Sequence, residues 1–215
     1  MRLQSAIFDM DGTLLDSMST WRYLGRNTLL ELGKEPRPDL EEHLKNRDMR
    51  TGAAYCVEAY GLDCSVDEMM DLLNARIRDF YQNRVQAKPG VERFLSLLKM
   101  EGVWMYVATA TDRELTEAGL RRTGLDKYFR GILTCSEVGK WKEDPEIYER
   151  ALRRLRSTKK DTVVFEDALY ALQTAKNAGF RVAGVYEPIY REDQAAIQAL
   201  ADYYIPSFEE MFEVD

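Results

Sequence analysis

Apolar positions along the chain change their period near residue 88, and that change divides the sequence into two kinds of structure. Between residues 16 and 85, Trp21, Leu24, Leu29 and Leu32 keep helical spacing, and Val66, Met70, Leu73, Ile77 and Phe80 recur at steps of four and three. Gly33, Pro36, Pro38 and Gly61 punctuate this stretch. The pattern predicts a compact set of about four helices.

After Lys88-Pro89-Gly90 the texture alternates. Helical patterns cover Val91 to Met100, Asp112 to Thr123, Pro145 to Leu155, Ala168 to Ala178 and Glu192 to Leu200. Short apolar runs at Val103 to Ala108, Gly131 to Cys135, Thr162 to Phe165, Arg181 to Tyr186 and Tyr203 to Ile205 read as strands, and a helical turn closes the chain. Such alternation points to an α/β protein with a doubly wound parallel sheet, covered by helices on both faces. A further strand, Gln4 to Phe8, has no helix of its own unless the helical block is an insertion. The expected organisation is therefore a core of residues 1–15 and 88–215, interrupted after its first strand by a helical cap of residues 16–87.

Composition narrows the class. The 215 residues are 45% hydrophobic and 31% charged, an ordinary globular balance. No apolar run approaches the roughly eighteen residues of a membrane helix, and the N-terminus lacks the pattern of a secretory signal, so a cytoplasmic protein with no membrane partner is expected. A net charge of −7 argues against a nucleic-acid partner. Cys56, Cys64 and Cys135 are odd in number and lack metal-site spacing, which suggests reduced thiols. The single histidine, His43, stands in a polar segment and argues against Ser-His-Asp or Cys-His catalysis. No helix shows a sustained heptad, so oligomeric state stays open, with a monomer favoured.

The chemistry gathers at strand ends, where ligands of parallel α/β sheets bind. Asp9 and Asp11 follow Ala6-Ile7-Phe8 two residues apart, so both can face one volume, and Gly12 permits a sharp turn. Thr109, Ala110 and Thr111 follow the Val103 strand, Lys142 follows the Gly131 strand, and Glu166-Asp167 follows Val163-Val164-Phe165. Phosphate chemistry would use each type. Asp9 can attack phosphorus, and Asp11 can pass a proton to the leaving group and take one from water. Asp9, the Asp11 carbonyl and Asp167, with Glu166 acting through water, suit Mg²⁺. Thr109, the backbone N–H groups at Ala110 and Thr111, and the Lys142 ammonium can hold the transferring oxygens. Taken singly, Asp167 and Asp112 could be helix caps and Lys142 a surface residue.

Asp9-Met10-Asp11-Gly12-Thr13-Leu14-Leu15-Asp16-Ser17 resembles the first motif of the haloacid dehalogenase-like superfamily, in the subgroup with a helical cap after the first strand. Val107-Ala108-Thr109-Ala110-Thr111 is similar to the second motif, Lys142-Glu143-Asp144-Pro145-Glu146-Ile147-Tyr148 to the third, and Val164-Phe165-Glu166-Asp167 with Asn177-Ala178-Gly179 to the fourth. The resemblance spans nearly the whole chain. It implies a Rossmann-like core, Mg²⁺ dependence, an Asp9 nucleophile, and a cap that admits substrate and excludes water.

Departures from the family pattern matter. Glu143 stands where a proline usually follows the third-motif lysine, and nearby Lys140 offers a second register, although Lys142 keeps the three-residue spacing to Pro145. Ala168 and Ala171 replace the usual serine and glycine. An Asp at position 11 fits phosphatases and phosphomutases, and Trp21 stands where the resembling hexose phosphate mutases carry a cap histidine. Hydrolysis of a small phosphorylated metabolite is the expectation. A sugar phosphomutase and a non-catalytic binding protein are the alternatives. Arg47, Arg50 and Lys45, in a polar stretch of the cap, are candidates to meet the leaving group.

Overall fold

The computed structural model describes residues 3–45 and 47–210. The chain divides into two compact units, residues 1–17 with 85–215 and residues 18–84. Strand β1 (Ser5–Phe8) opens the first unit. The second unit carries helices α1 (Met18–Arg22), α2 (Leu24–Glu31), α3 (Leu40–Leu44), α4 (Met49–Tyr60) and α5 (Val66–Asp79), with a π-helical turn at Phe80–Arg84. Five α-helices thus stand where the spacing predicted about four. The short α1 and α3 hold five residues each, too few for a periodic signal.

The helical unit has its own core. Leu29, Leu40, Ala53, Cys56, Met69 and Leu73 are buried together, which supplies the stabilisation that short helices lack alone. Helix α5 begins with a reciprocal capping box between Ser65 and Glu68. Trp21 donates its indole N–H to the hydroxyl of buried Tyr81 at 2.8 Å.

The first unit resumes with α6 (Val91–Met100), β2 (Trp104–Thr109), α7 (Arg113–Thr123), β3 (Phe129–Thr134), α8 (Cys135–Val138), α9 (Glu146–Leu155), β4 (Thr162–Glu166), α10 (Leu169–Asn177), β5 (Arg181–Val185), α11 (Gln194–Leu200) and β6 (Tyr203–Ile205). All six strands are parallel, in the order β3-β2-β1-β4-β5-β6. This is a Rossmann-like α/β fold. Strands β1 and β4 are buried along their whole length, as expected of parallel strands covered on both faces. Helix α8 was not anticipated: Cys135, assigned to the preceding strand, instead starts a four-residue helix capped by Thr134 and Glu137. Likewise a 3₁₀ segment, Pro188–Asp193, takes the start expected for the last helix.

Chain order changes direction at β1, which has β2 on one side and β4 on the other. Register then levels the ends: Phe8 pairs with Val107 and with Phe165, so the residues that follow these three strands share one edge of the sheet. Among the described residues, no helix is long and apolar enough to cross a membrane.

Candidate active site

Asp9 continues β1 by one residue, its N–H bonded to the Phe165 carbonyl at 2.9 Å, and so lies beside Glu166 and Asp167. All three acids are buried, and one carboxylate oxygen from each falls within 4.8 Å of the others. Lys142, also buried, donates to Asp9 Oδ1 and, at 2.7 Å, to Glu166 Oε1. Lys140 is on the surface, 3.2 Å from Asp144, so the lysine in the acid cluster is Lys142.

Three carboxylates around one ammonium are electrostatically short of positive charge. Burial is the main cause that pushes the Asp9 carboxyl up to about 8; Glu166 and Asp11 push the same way, and Lys142 opposes them. Burial, then Asp9 and Glu166, raise Asp167 well above the usual carboxylate range. Burial alone would lower the Lys142 ammonium, but Asp9 and Glu166 beside it hold it above the ordinary lysine value.

Asp11 sits in a turn that the chain pins tightly. Leu14 and Leu15 donate backbone N–H groups to the Met10 carbonyl at 2.8 and 2.9 Å, and Gly12 donates to the Leu15 carbonyl at 2.9 Å. Gly12 has φ of 79°, a conformation that a side chain would strain. Ser17 and Thr111 hydroxyls hold the two Asp11 carboxylate oxygens at 2.5 and 2.7 Å. Thr111 therefore orients Asp11, while its N–H donates to Thr109 Oγ1 at 3.1 Å. Ala110, between them, continues the same loop.

Thr13 donates to Asp167 Oδ1 at 3.2 Å, yet Asp167 Oδ2 is buried with no hydrogen-bond partner among the described residues. Asp167 does not cap the helix it precedes: the capping position is Ala168, which makes no side-chain bond. A buried acceptor left bare is costly, and a cation removes that cost. An all-oxygen donor set with excess negative charge fits a hard divalent cation such as Mg²⁺.

Arg47 and Arg50 lie in the helical unit and engage its own residues. Arg47 donates to the His43 carbonyl at 3.0 Å and stacks over Tyr55, and Arg50 pairs with Asp67 at 2.8 Å on the surface. Several residues with polar roles escaped the sequence reading. Tyr148 donates its hydroxyl to Glu166 Oε1 at 2.8 Å. Lys88 donates to the Gly12 and Tyr186 carbonyls and to Glu187 Oε2 at 2.7, 2.8 and 2.9 Å. Tyr148 closes the stretch that resembles the third motif but carried no polar role there, and nothing local signals the pairing of Lys88 with Glu187.

Fold and site together define a Rossmann-like α/β enzyme built on buried carboxylates at the end of its central strand. The profile of the haloacid dehalogenase-like hydrolases matches residues 6–185, and the chain belongs to that family. It is 29% identical over 198 residues, 92% of this chain and 91% of the relative, to a phosphorylated carbohydrates phosphatase of Thermotoga maritima. The pyrophosphatase PpaX of Halalkalibacterium halodurans is 26% identical, with 100% of this chain and 97% of that protein covered. A solved Thermotoga maritima structure, named there as a candidate beta-phosphoglucomutase, superposes with a TM-score of 0.85 at 29% identity, covering 97% of this chain and 96% of that one.

Proposed function

We propose that this hydrolase is a Mg²⁺-dependent phosphatase that cleaves a small phosphate monoester through an aspartyl phosphate on Asp9. The observation that carries this reading is the buried cluster of Asp9, Glu166 and Asp167 around Lys142, with one Asp167 oxygen bare and Asp11 held two residues from Asp9.

An Asp9 oxygen attacks phosphorus, the bond from phosphorus to the ester oxygen breaks, and Asp11 supplies the proton that the leaving alkoxide takes. Asp11 then accepts a proton from water as the water oxygen attacks phosphorus, which frees Asp9 and releases phosphate. Lys142, the Thr109 hydroxyl and the Ala110 N–H meet the phosphoryl oxygens, where charge develops, since the Thr111 N–H is given to Thr109 Oγ1. Mg²⁺, held by Asp9, Asp167 and the Asp11 carbonyl with Glu166 reaching it through water, would offset repulsion between an anionic nucleophile and an anionic phosphate.

A phosphorylated carbohydrate is the first substrate class to test, since the Thermotoga maritima relative aligned over most of both chains is named for it. Trp21 weighs against the mutase reading: its indole N–H is committed to Tyr81 within the helical unit. A phosphate-release screen over sugar phosphates, other phosphate monoesters and pyrophosphate should find turnover with Mg²⁺. EDTA should abolish it, and Asp9→Asn should lower it by at least about a thousandfold. Release that persists in Asp9→Asn would overturn the assignment, and isomerisation of a hexose phosphate, primed by a bisphosphate and without release, would replace hydrolysis by transfer from Asp9 to a sugar hydroxyl.

A further inference from the structure

Tyr148 is fully buried in the apolar core beneath the sheet, its ring edge-on to Phe180 with centroids 6.4 Å apart. A phenylalanine would meet that packing equally well. The phenol adds a hydroxyl that must be stripped of water, which a core position tolerates only with a good partner. The partner is Glu166 Oε1 at 2.8 Å, and the same oxygen accepts from the Lys142 ammonium at 2.7 Å. Lys142 in turn lies against Asp9. A relay of side chains thus runs from α9 to the nucleophile.

Lys142 needs such support. Its side chain is a four-carbon stem with freely rotating bonds. It occupies a turn closed by the Asp144 N–H and the Trp141 carbonyl at 3.0 Å, and Glu143, not proline, follows it. The backbone beside the lysine therefore lacks the φ restraint a proline would impose. The ammonium is held by the carboxylates of Asp9 and Glu166, and the hydroxyl on α9 adds a second donor to the Glu166 oxygen that Lys142 bonds.

We infer that Tyr148 is a positioning residue for the phosphoryl transfer proposed above: its hydroxyl orients Glu166, and through Glu166 sets Lys142 against the transferring oxygens. The assignment rests on the phosphatase reading for its catalytic consequence, and on the Tyr148–Glu166–Lys142 geometry for its mechanism.

The test is Tyr148→Phe in the full chain, made in the wild type and in Lys142→Met, with kinetics on the best substrate and crystal structures of wild type and Tyr148→Phe. In the wild-type background kcat should fall about tenfold with KM nearly unchanged, and the unfolding midpoint should drop, since Glu166 loses a buried donor. In Lys142→Met the same change should cost less than about twofold, because effects that act through one group do not add. The crystal structure should show the Lys142 ammonium released from Glu166. An unchanged kcat, an equal loss in both backgrounds, or a Lys142–Glu166 contact that survives the substitution would overturn the inference. If the wild type releases phosphate from nothing, the functional reading fails, and the two crystal structures still decide whether Tyr148 places the lysine.

Discussion

Asp167 has one oxygen bonded to Thr13 and another that is buried and bare. Burial, then Asp9 and Glu166 beside it, raise this carboxyl well above the usual carboxylate range. For an acid whose folded pKa is raised, the associated stability is fully present below the unfolded value and is lost as pH rises through the folded one. Removing the charge should then help the metal-free protein. Asp167→Asn should unfold at a higher temperature than wild type in EDTA at neutral pH, by about 1–3 kcal/mol, and should lose most of the stabilisation that excess Mg²⁺ gives the wild type. A variant that is less stable in EDTA and still responds to Mg²⁺ like wild type would show that Asp167 holds no cation. The contrast between Lys142 and Lys140 belongs to the same scale: two residues apart, one is buried among acids and the other faces water. Spacing to Pro145 favoured the first, but only burial separates a charge paired with both Asp9 and Glu166 from a solvated one.

Elements carry these residues, and their boundaries depend on a few polar contacts. Strand β6 is the sheet's outer edge, and Asp202 fastens its start: one oxygen accepts the Val182 N–H of β5 at 2.8 Å and the other the Lys176 ammonium of α10 at 2.6 Å. Partial burial works to raise its pKa, but Lys176 and the Val182 N–H together hold the Asp202 carboxyl below its ordinary value. A depressed acid contributes stability above its unfolded pKa and loses it as pH falls through the folded one. Asp202→Asn should therefore cost up to about 1 kcal/mol near neutral pH, with the small size reflecting a pair that is about a third exposed, and the difference should shrink as acid protonates the folded carboxyl. Urea unfolding of both proteins at pH 7 and pH 3 measures it, and a cost independent of pH would sink the electrostatic account. At the other edge, Cys135 extends an apolar run and so reads as the end of a strand; Thr134 and Glu137 stop the strand by capping the turn of α8.

Across the whole molecule, Lys88 joins segments that are remote in sequence. Its ammonium, with side-chain exposure of 15%, bonds the Gly12 carbonyl of the turn that carries Asp11, the Tyr186 carbonyl after β5, and Glu187, itself 5% exposed. Lys88→Met should destabilise the protein by about 3–5 kcal/mol, since it leaves Glu187 buried without its cation, and Lys88→Met with Glu187→Met should recover much of that loss in denaturant titrations. Failure of the double variant to recover would place the cost in the lost Gly12 and Tyr186 contacts instead. Lys88 lies in the Lys88-Pro89-Gly90 stretch where the hydrophobic period changes, and nothing in that stretch signals the pair. The alternation of strand and helix patterns, the helical insertion's texture and the strand-end acids were legible because each depends on neighbours two to four residues away, which leave a period or a motif. The sequence by itself determined that class of fold, and the identities of Asp9, Asp11, Lys142, Glu166 and Asp167 as one candidate set. Tertiary structure alone decided that Thr111 serves Asp11, that Tyr148 reaches Glu166, that Lys88 meets Glu187, and which Asp167 oxygen is left bare. Those outcomes follow from strand order and register, which bring together groups as far as 154 residues apart, and contacts at such separations impose no periodicity on the chain.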